Sequence, residues 1–210
     1  MIMAELLRIH EQNPEMRKID KVVKVLQNGG IVIYPTDTVY GIGCDLHSKK
    51  GVERLLSLLE LKPKKLKLSF ICHDLSQASH YIKPITTHVF KILKRALPGP
   101  YTFLLHANNE VPKILNISKK TVGVRIPRNN ITLTMVKELG NPIISASIKD
   151  EDEIIQYTAD PEIIFERYKQ KVDAVVAGDL SGVEPSTVID LTEGDINLIR
   201  QGLGDIENLA

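Results

Sequence analysis

Surplus charge is the first thing this chain does without. Its 27 basic and 26 acidic residues nearly cancel, so no global field draws it to nucleic acid, and any such contact must come from local clustering. Cys44 and Cys72 are its only cysteines, far apart and with no CxxC or CxxH around either. Neither a zinc site nor a disulfide scaffold is therefore indicated, and a reducing cytoplasm fits best. No run of ~18 uncharged apolar residues occurs, so no segment is expected to span a membrane. The opening MIMAELLRIH carries Glu5 and Arg8 inside its one apolar run, too short and too charged for a signal peptide. There is no Walker loop and no GxGxxG. His73, His80, His88 and His106 have no Ser or Cys nearby in a recognisable nucleophile and base order, which suits surface or packing roles. The four carboxylates between Asp150 and Glu153 lack spaced partners and make a poor metal cage. No repeat, low-complexity tract or linker divides the chain. At 210 residues and 43% hydrophobic content, residues 1–210 are expected to form one domain around one core.

What is present is organised around Gly29 to Gly43, GGIVIYPTDTVYGIG. Asn13-Pro14 reads as the cap and first turn of a helix whose Ile19, Val22, Val23 and Leu26 recur at helical spacing until Asn28-Gly29 stops it. Ile31 to Tyr34 then makes a short buried strand that Pro35 ends before the polar loop Thr36-Asp37-Thr38, closed by Tyr40 and Gly41. Three oxygen-bearing side chains thus emerge at the end of an apolar strand, where open α/β sheets hold ligands; taken alone, the motif reads more readily as a turn whose hydroxyls cap the next helix. Ser48 caps a second helix with Val52, Leu55, Leu56 and Leu59 on one face. After it, Lys62-Pro63-Lys64-Lys65-Leu66-Lys67 is either a solvated loop or a phosphate-binding one, and leads into the strand Leu68 to Cys72.

Further elements follow in order. Asp74 caps a short helix to Tyr81, and Thr87 to Leu97 forms another with Lys91, Lys94 and Arg95 outward. Tyr101 to Leu105 is a strand, Val111 to Lys120 a basic connection, and Thr121 to Pro127 a strand. Ile131 to Leu139 is a helix closed by Gly140, and Pro142 to Ser147 a strand that runs into two serines. Pro161 to Tyr168 is a helix, and the strands Val172 to Val176, Val188 to Leu191 and Ile196 to Ile199 complete the chain. Several strand ends thus carry hydroxyls or a cation, and hydroxyls with guanidinium groups suit an anionic ligand because both donate hydrogen bonds to carboxylate or phosphate. Alternation places Thr121, Gly123 and Arg125 on one face and Val122 and Val124 on the other.

PTDTVYGIG, ALPGPYTF, TVGVRIP, PIISAS, EPSTVIDL and IRQG appear in the order and at about the separations of the YrdC-like family, which the chain resembles over a motif-bearing core of about 13–202. The resemblance implies a single α/β domain with a twisted mixed β-sheet, flanked by helices, around a large basic cavity. It also implies threonylcarbamoyl-AMP synthesis: L-threonine, bicarbonate and ATP with Mg2+ condense with release of pyrophosphate, for threonylcarbamoyladenosine in tRNA. By position, Thr38, Arg125, Ser145 and Ser186 match residues that hold threonine. Thr121, Ser147 and Arg200 match residues around the nucleotide, and Lys62 stands nearest to their Lys-x-Arg-Pro motif.

Three departures accompany the resemblance. Glu60-Leu61-Lys62-Pro63 replaces Lys-x-Arg-Pro, Ser147-Ile148-Lys149 replaces Ser-x-Asn, and Cys72 stands for a strand-end histidine, all three expected to touch the ligand site. These and the stretch LSFICHDLS are closest to the YciO branch. Lys64, Lys65, Lys67 and Lys149 are candidates for restoring positive charge or contacting RNA phosphates. The alternatives to a synthase are therefore a module that binds tRNA or double-stranded RNA with weak or no catalysis, or an adenylate hydrolase, either working beside tRNA-modification partner proteins.

Overall fold

The strand and helix periods sort the side chains onto two faces of one sheet, and that sorting positions everything else. The computed structural model describes residues 3–60, 69–111, 120–147, 159–178 and 182–209. Among these the strands are β1 (Glu5–Arg8), β2 (Val32–Tyr34), β3 (Gly41–Asp45), β4 (Ser69–Ile71), β5 (Tyr101–His106), β6 (Thr121–Arg125), β7 (Ile143–Ser147), β8 (Ala174–Ala177), β9 (Thr187–Asp190) and β10 (Asn197–Arg200). The helices are α1 (Met16–Gln27), α2 (Lys49–Leu58), α3 (Leu75–Ser79), α4 (Thr87–Ala96), α5 (Asn130–Leu139) and α6 (Pro161–Tyr168). All ten strands join one mixed sheet in the order β1-β8-β2-β3-β7-β4-β6-β5-β9-β10.

Local chemistry sets most helix ends. Ser48 Oγ accepts from the Gly51 N–H, Asp74 from Gln77 and Asn129 from Thr132, each meeting a backbone donor that the first turn leaves unpaired. Gly140 closes α5 at φ 78°, in the left-handed region that glycine occupies without strain. The expected start of α1 is corrected: the helix begins at Met16, and Asn13 turns its N–H to His10 Nδ1 instead of capping it. Glu15 flanks the helix and spends its carboxylate on the His10 N–H and on Lys18.

Two strands were not legible in the sequence. β1 is short and lies at a sheet edge. β3 carries Gly41 and Gly43, which weaken strand propensity. A Cβ at Gly43 would stand 2.5 Å from the Ile144 carbonyl oxygen, so close packing against β7 requires the glycine that disguises the strand.

One face of the sheet presents Ile42, Phe70, Phe103, Val122, Val124, Ile144 and Ile189 to α2, α4 and α6, and each of these residues is buried. The other face is covered only in part. There Leu7, Val32, Ala174, Val176 and Ile143 meet Ile19, Val22 and Leu26 of α1 and Ile131, Met135 and Val136 of α5. Fully burying an aliphatic side chain contributes about 1.5–3 kcal/mol, so these contacts hold both helices where amphipathicity alone would leave them marginal. Beyond Ile71 and Ile143 the same face changes character.

Candidate functional site

Past the edge of α1 and α5, the strands of that second face set small polar residues among the aliphatic ones, and a cavity of about 470 Å³ opens over them. Ser145 and Ser147 of β7, Ser69 and Ile71 of β4, Thr121, Gly123 and Arg125 of β6, Thr102 and Leu104 of β5 and Val188 of β9 are alternate residues facing it. Tyr34, Thr36, Gly41 and Ser186 complete its sides. At the β10 edge a register shift between Leu198 and Arg200 brings both Ile199 and Arg200 to the lining, which regular alternation forbids. The volume lies inside the range of roughly 300–1,000 Å³ usual for small-molecule sites.

Arg125 closes the inner end. It is 5% exposed, and its Nη2 donates to Thr36 Oγ1 at 2.9 Å, Asp37 Oδ1 at 2.7 Å and Thr38 Oγ1 at 2.6 Å. Asp37 Oδ2 accepts from the Arg128 N–H at 3.0 Å, tying the loop to the segment after β6. The Thr36 hydroxyl donates to the Val39 carbonyl at 2.7 Å, which fixes the loop's own turn. Arg125 Nε is buried with no partner. A buried arginine needs a counter-charge, and Asp37 supplies it.

Two further hydroxyl groups are held in advance. The Tyr34 ring lies against Gly41, and its hydroxyl donates to Ser145 Oγ, which in turn reaches the Ile42 carbonyl. Burial pushes the Tyr34 phenol well above its ordinary range, so it stays a donor. Across the cavity Ser186 Oγ and Thr102 Oγ1 are 2.9 Å apart, and Arg200 Nη2 donates to the Ser186 carbonyl at 2.7 Å. Ser69, Thr121 and Ser147 differ, since their hydroxyls make no hydrogen bond to described residues. Gly123 lies among them, and a Cβ there would stand 2.9 Å from Ser69 Oγ and 3.3 Å from Thr102 Cγ2.

Of the residues proposed from sequence, Arg125, Ser145, Ser186, Thr121, Ser147 and Arg200 line this one cavity. Thr38 does not. It is fully buried and meets the cavity through two residues that line it, the Arg125 guanidinium and the Thr36 hydroxyl. Lys62, Lys64, Lys65, Lys67 and Lys149 lie outside the described residues. The placement of Cys72 beside the ligand is corrected: it is wholly buried in the opposite face's core, and the residue of β4 that faces the cavity near that end is Ile71. Alternation from Phe70 dictates this, because Phe70 and Cys72 share a face. Both thiols stay protonated, burial pushing Cys44 up to about 12 and Cys72 higher.

Sequence reading places Asp37 in the polar loop at the end of β2 without a role of its own, and gives no site role to Tyr34, Ser69 or Thr102. For Ser69 and Thr102 the period-2 pattern within β4 and β5 was a usable signal, since each alternates with a large aromatic. Among the described residues no histidine lines the cavity, and no group of three or more His, Cys, Asp or Glu is placed to hold a metal. The cavity's cations among the described residues are Arg125 and Arg200, and no described lining residue is a carboxylate. No helix among the described residues is long and apolar enough to cross a membrane.

The Sua5/YciO/YrdC family model, described as telomere recombination, matches residues 24–202. Escherichia coli YciO is 35% identical over 207 residues, 98% of either chain. Its crystal structure superimposes with a TM-score of 0.89 at 34% identity, covering 99% of this chain and 100% of that one. The threonylcarbamoyl-AMP synthase of Chromobacterium violaceum is 30% identical over 183 residues, 87% of this chain and 93% of its own. The crystal structure of P. abyssi Sua5 complexed with L-threonine matches with a TM-score of 0.86 at 26% identity, over 97% of this chain and 59% of that one.

Proposed function

Because the chain belongs to the Sua5/YciO/YrdC family, we propose that it is a synthase of the threonylcarbamoyl-AMP type, condensing L-threonine, bicarbonate and ATP. The observation that carries this reading is Arg125, a buried guanidinium at the inner end of a cavity lined by hydroxyls and aliphatic groups, with Arg200 at the β10 edge. The similarity to a synthase from C. violaceum and to Sua5 complexed with L-threonine supports it. Arg125 takes the threonine carboxylate, with Ser145 and Ser186 on either side and Thr38 behind. Thr121, Ser147 and Arg200 face the nucleotide.

The threonine amine and bicarbonate form a carbamate with loss of water. A carbamate oxygen then attacks the α-phosphorus of ATP, the bond to the β,γ-phosphates breaks, and pyrophosphate leaves. The described lining residues offer no general base, and none is needed once the amine has become a carbamate. What this step asks of the protein is alignment of two anions and cancellation of their repulsion, which fixed hydroxyls and guanidinium groups provide. With no carboxylate among the described lining residues, magnesium would enter as a companion of the phosphates, where it would offset their charge.

The test is incubation of the pure protein with threonine, bicarbonate, magnesium and labelled ATP. Threonylcarbamoyl-AMP and pyrophosphate are expected together; neither appearing at high protein concentration removes the synthase reading. Supplying the adenylate itself separates a hydrolase, which would consume it with no need for ATP. RNA binding is the other reading, and one of its basic segments lies away from the cavity. Lys91 and Lys94 sit on α4, which packs on the opposite sheet face. Binding of tRNA that is independent of salt would count against phosphate contacts through those lysines.

A further inference from the structure

Asp37 is absent from the cavity lining, yet it is 11% exposed beside an Arg125 side chain that is 6% exposed. Both its carboxylate oxygens are committed, one to Arg125 Nη2 and one to the Arg128 N–H. Thr36 and Thr38 bring two more acceptors to that same nitrogen. An NH2 group has two hydrogens to give, so three acceptors saturate it. The guanidinium is therefore anchored through a single nitrogen. The rest of its fork is held by nothing described, and Nε is buried without an acceptor. Anchoring of this kind fixes the plane of the guanidinium while reserving its remaining N–H donors for a ligand.

The charge count adds a second consequence. One carboxylate opposite one guanidinium leaves the inner end formally neutral before anything binds, and none of the described lining residues is a carboxylate. A ligand that brings only a carboxylate adds net negative charge within reach of Asp37 in a desolvated place, where such repulsion is poorly screened. A zwitterionic amino acid adds none. We propose that Asp37 is the positioning and charge-balancing residue of the inner end, making the cavity select an α-amino acid over the same molecule without its ammonium group. This rests on reading Arg125 as the group that takes the threonine carboxylate.

The probes are L-threonine and 3-hydroxybutyrate, which keeps the carbon chain, carboxylate and hydroxyl but lacks the ammonium. Each is titrated calorimetrically into wild type, Asp37→Asn and Asp37→Glu, with thermal melting as the check on folding. Wild type is expected to prefer threonine by at least about tenfold, on the scale of a like-charge penalty. Asp37→Asn should lose most of that preference, with 3-hydroxybutyrate binding more tightly and threonine more weakly. Asp37→Glu restores the charge and should restore the preference, though with weaker threonine binding from the displaced guanidinium. A merely structural role would lower both affinities together and leave their ratio unchanged. An unchanged ratio in Asp37→Asn, with threonine still bound by wild type, overturns the role of Asp37 and leaves the proposed function standing. Wild type that binds neither probe overturns both. Should Asp37→Asn fail to fold, the remaining pair decides: equal binding of the two probes by wild type, or loss of the preference in Asp37→Glu, sinks the proposal.

Discussion

One face of the sheet is two regions with different fates. Where β1, β8 and β2 present Leu7, Ala174, Val176 and Val32, α1 and α5 cover them. Where β7, β4, β6 and β5 present Ser145, Ser69, Gly123 and Thr102, a cavity takes the place of a helix. The backbone of the sheet is continuous across both, so secondary structure does not make the difference. Side chains do. Aliphatic groups are stabilised by a covering helix, whereas hydroxyls under one would lose water and need partners the helix cannot offer. The cavity is thus the part of the sheet that was never worth covering. Two residues, Tyr34 and Ile71, belong to both regions and mark the border.

The comparison is tested most severely on its covered side. Leu26→Ala empties a fully buried site under α1 and should cost about 2–5 kcal/mol in urea unfolding. Threonine affinity of the folded fraction should hardly change. A large loss of affinity at constant fold would mean the two regions are coupled and the division is false.

On the open side, Arg125→Lys keeps the charge and the reach to Asp37 but loses the planar fork. Threonine affinity, by calorimetry with ATP present, should fall at least about tenfold, or ~1.4 kcal/mol. Equal affinities would place Arg125 outside the ligand site and remove the threonine assignment with it.

Gly123→Ala sharpens the division further, because it adds one methyl group to the cavity floor. Its Cβ presses on Ser69 Oγ, a side-chain end that can shift, so the melting temperature should move little. Ligand affinity should fall several-fold. A large drop in stability with unchanged affinity would show that the floor is packed like a core.

The smallest effect concerns the covered side's outer end and is read against pH. The Glu15 carboxyl is held down to about 2, from an ordinary 4.5, by its hydrogen bond from Lys18 and then by the His10 N–H. A depressed folded value means the contribution is present above pH 4.5 and is lost as pH falls towards about 2. Glu15→Gln should therefore be less stable than wild type at neutral pH, with the difference closing across that window. The site is fully solvent-exposed, so the difference should be slight and should shrink with added salt. A difference that is the same at pH 7 and pH 2 would assign the effect to packing.

Much of this was legible locally. Ser48 and Asp74 cap the helices they were expected to cap, Gly140 closes α5, and the buried positions of α1 and α4 follow the 3.6 period. The face assignment of Thr121, Gly123 and Arg125 held because alternation is a property of any strand. β3 escaped notice because its glycines serve a neighbour's packing and contradict its own propensity. Asp37 escaped for a related reason: a polar residue in a turn has an ordinary explanation, and nothing near it in sequence betrays a buried arginine.

Periodicity and capping depend on residues a few positions apart, and these the chain determines by itself: its elements, their apolar faces and the strand ends that carry hydroxyls. The order of strands in the sheet depends on contacts across the whole chain. That order alone decided which serines and threonines share a wall, that Thr38 stands behind Arg125, and that Cys72 turns away from the cavity into the core. A side chain's face is set by its neighbours in sequence, but what it faces is set by whichever strand or helix is brought against it.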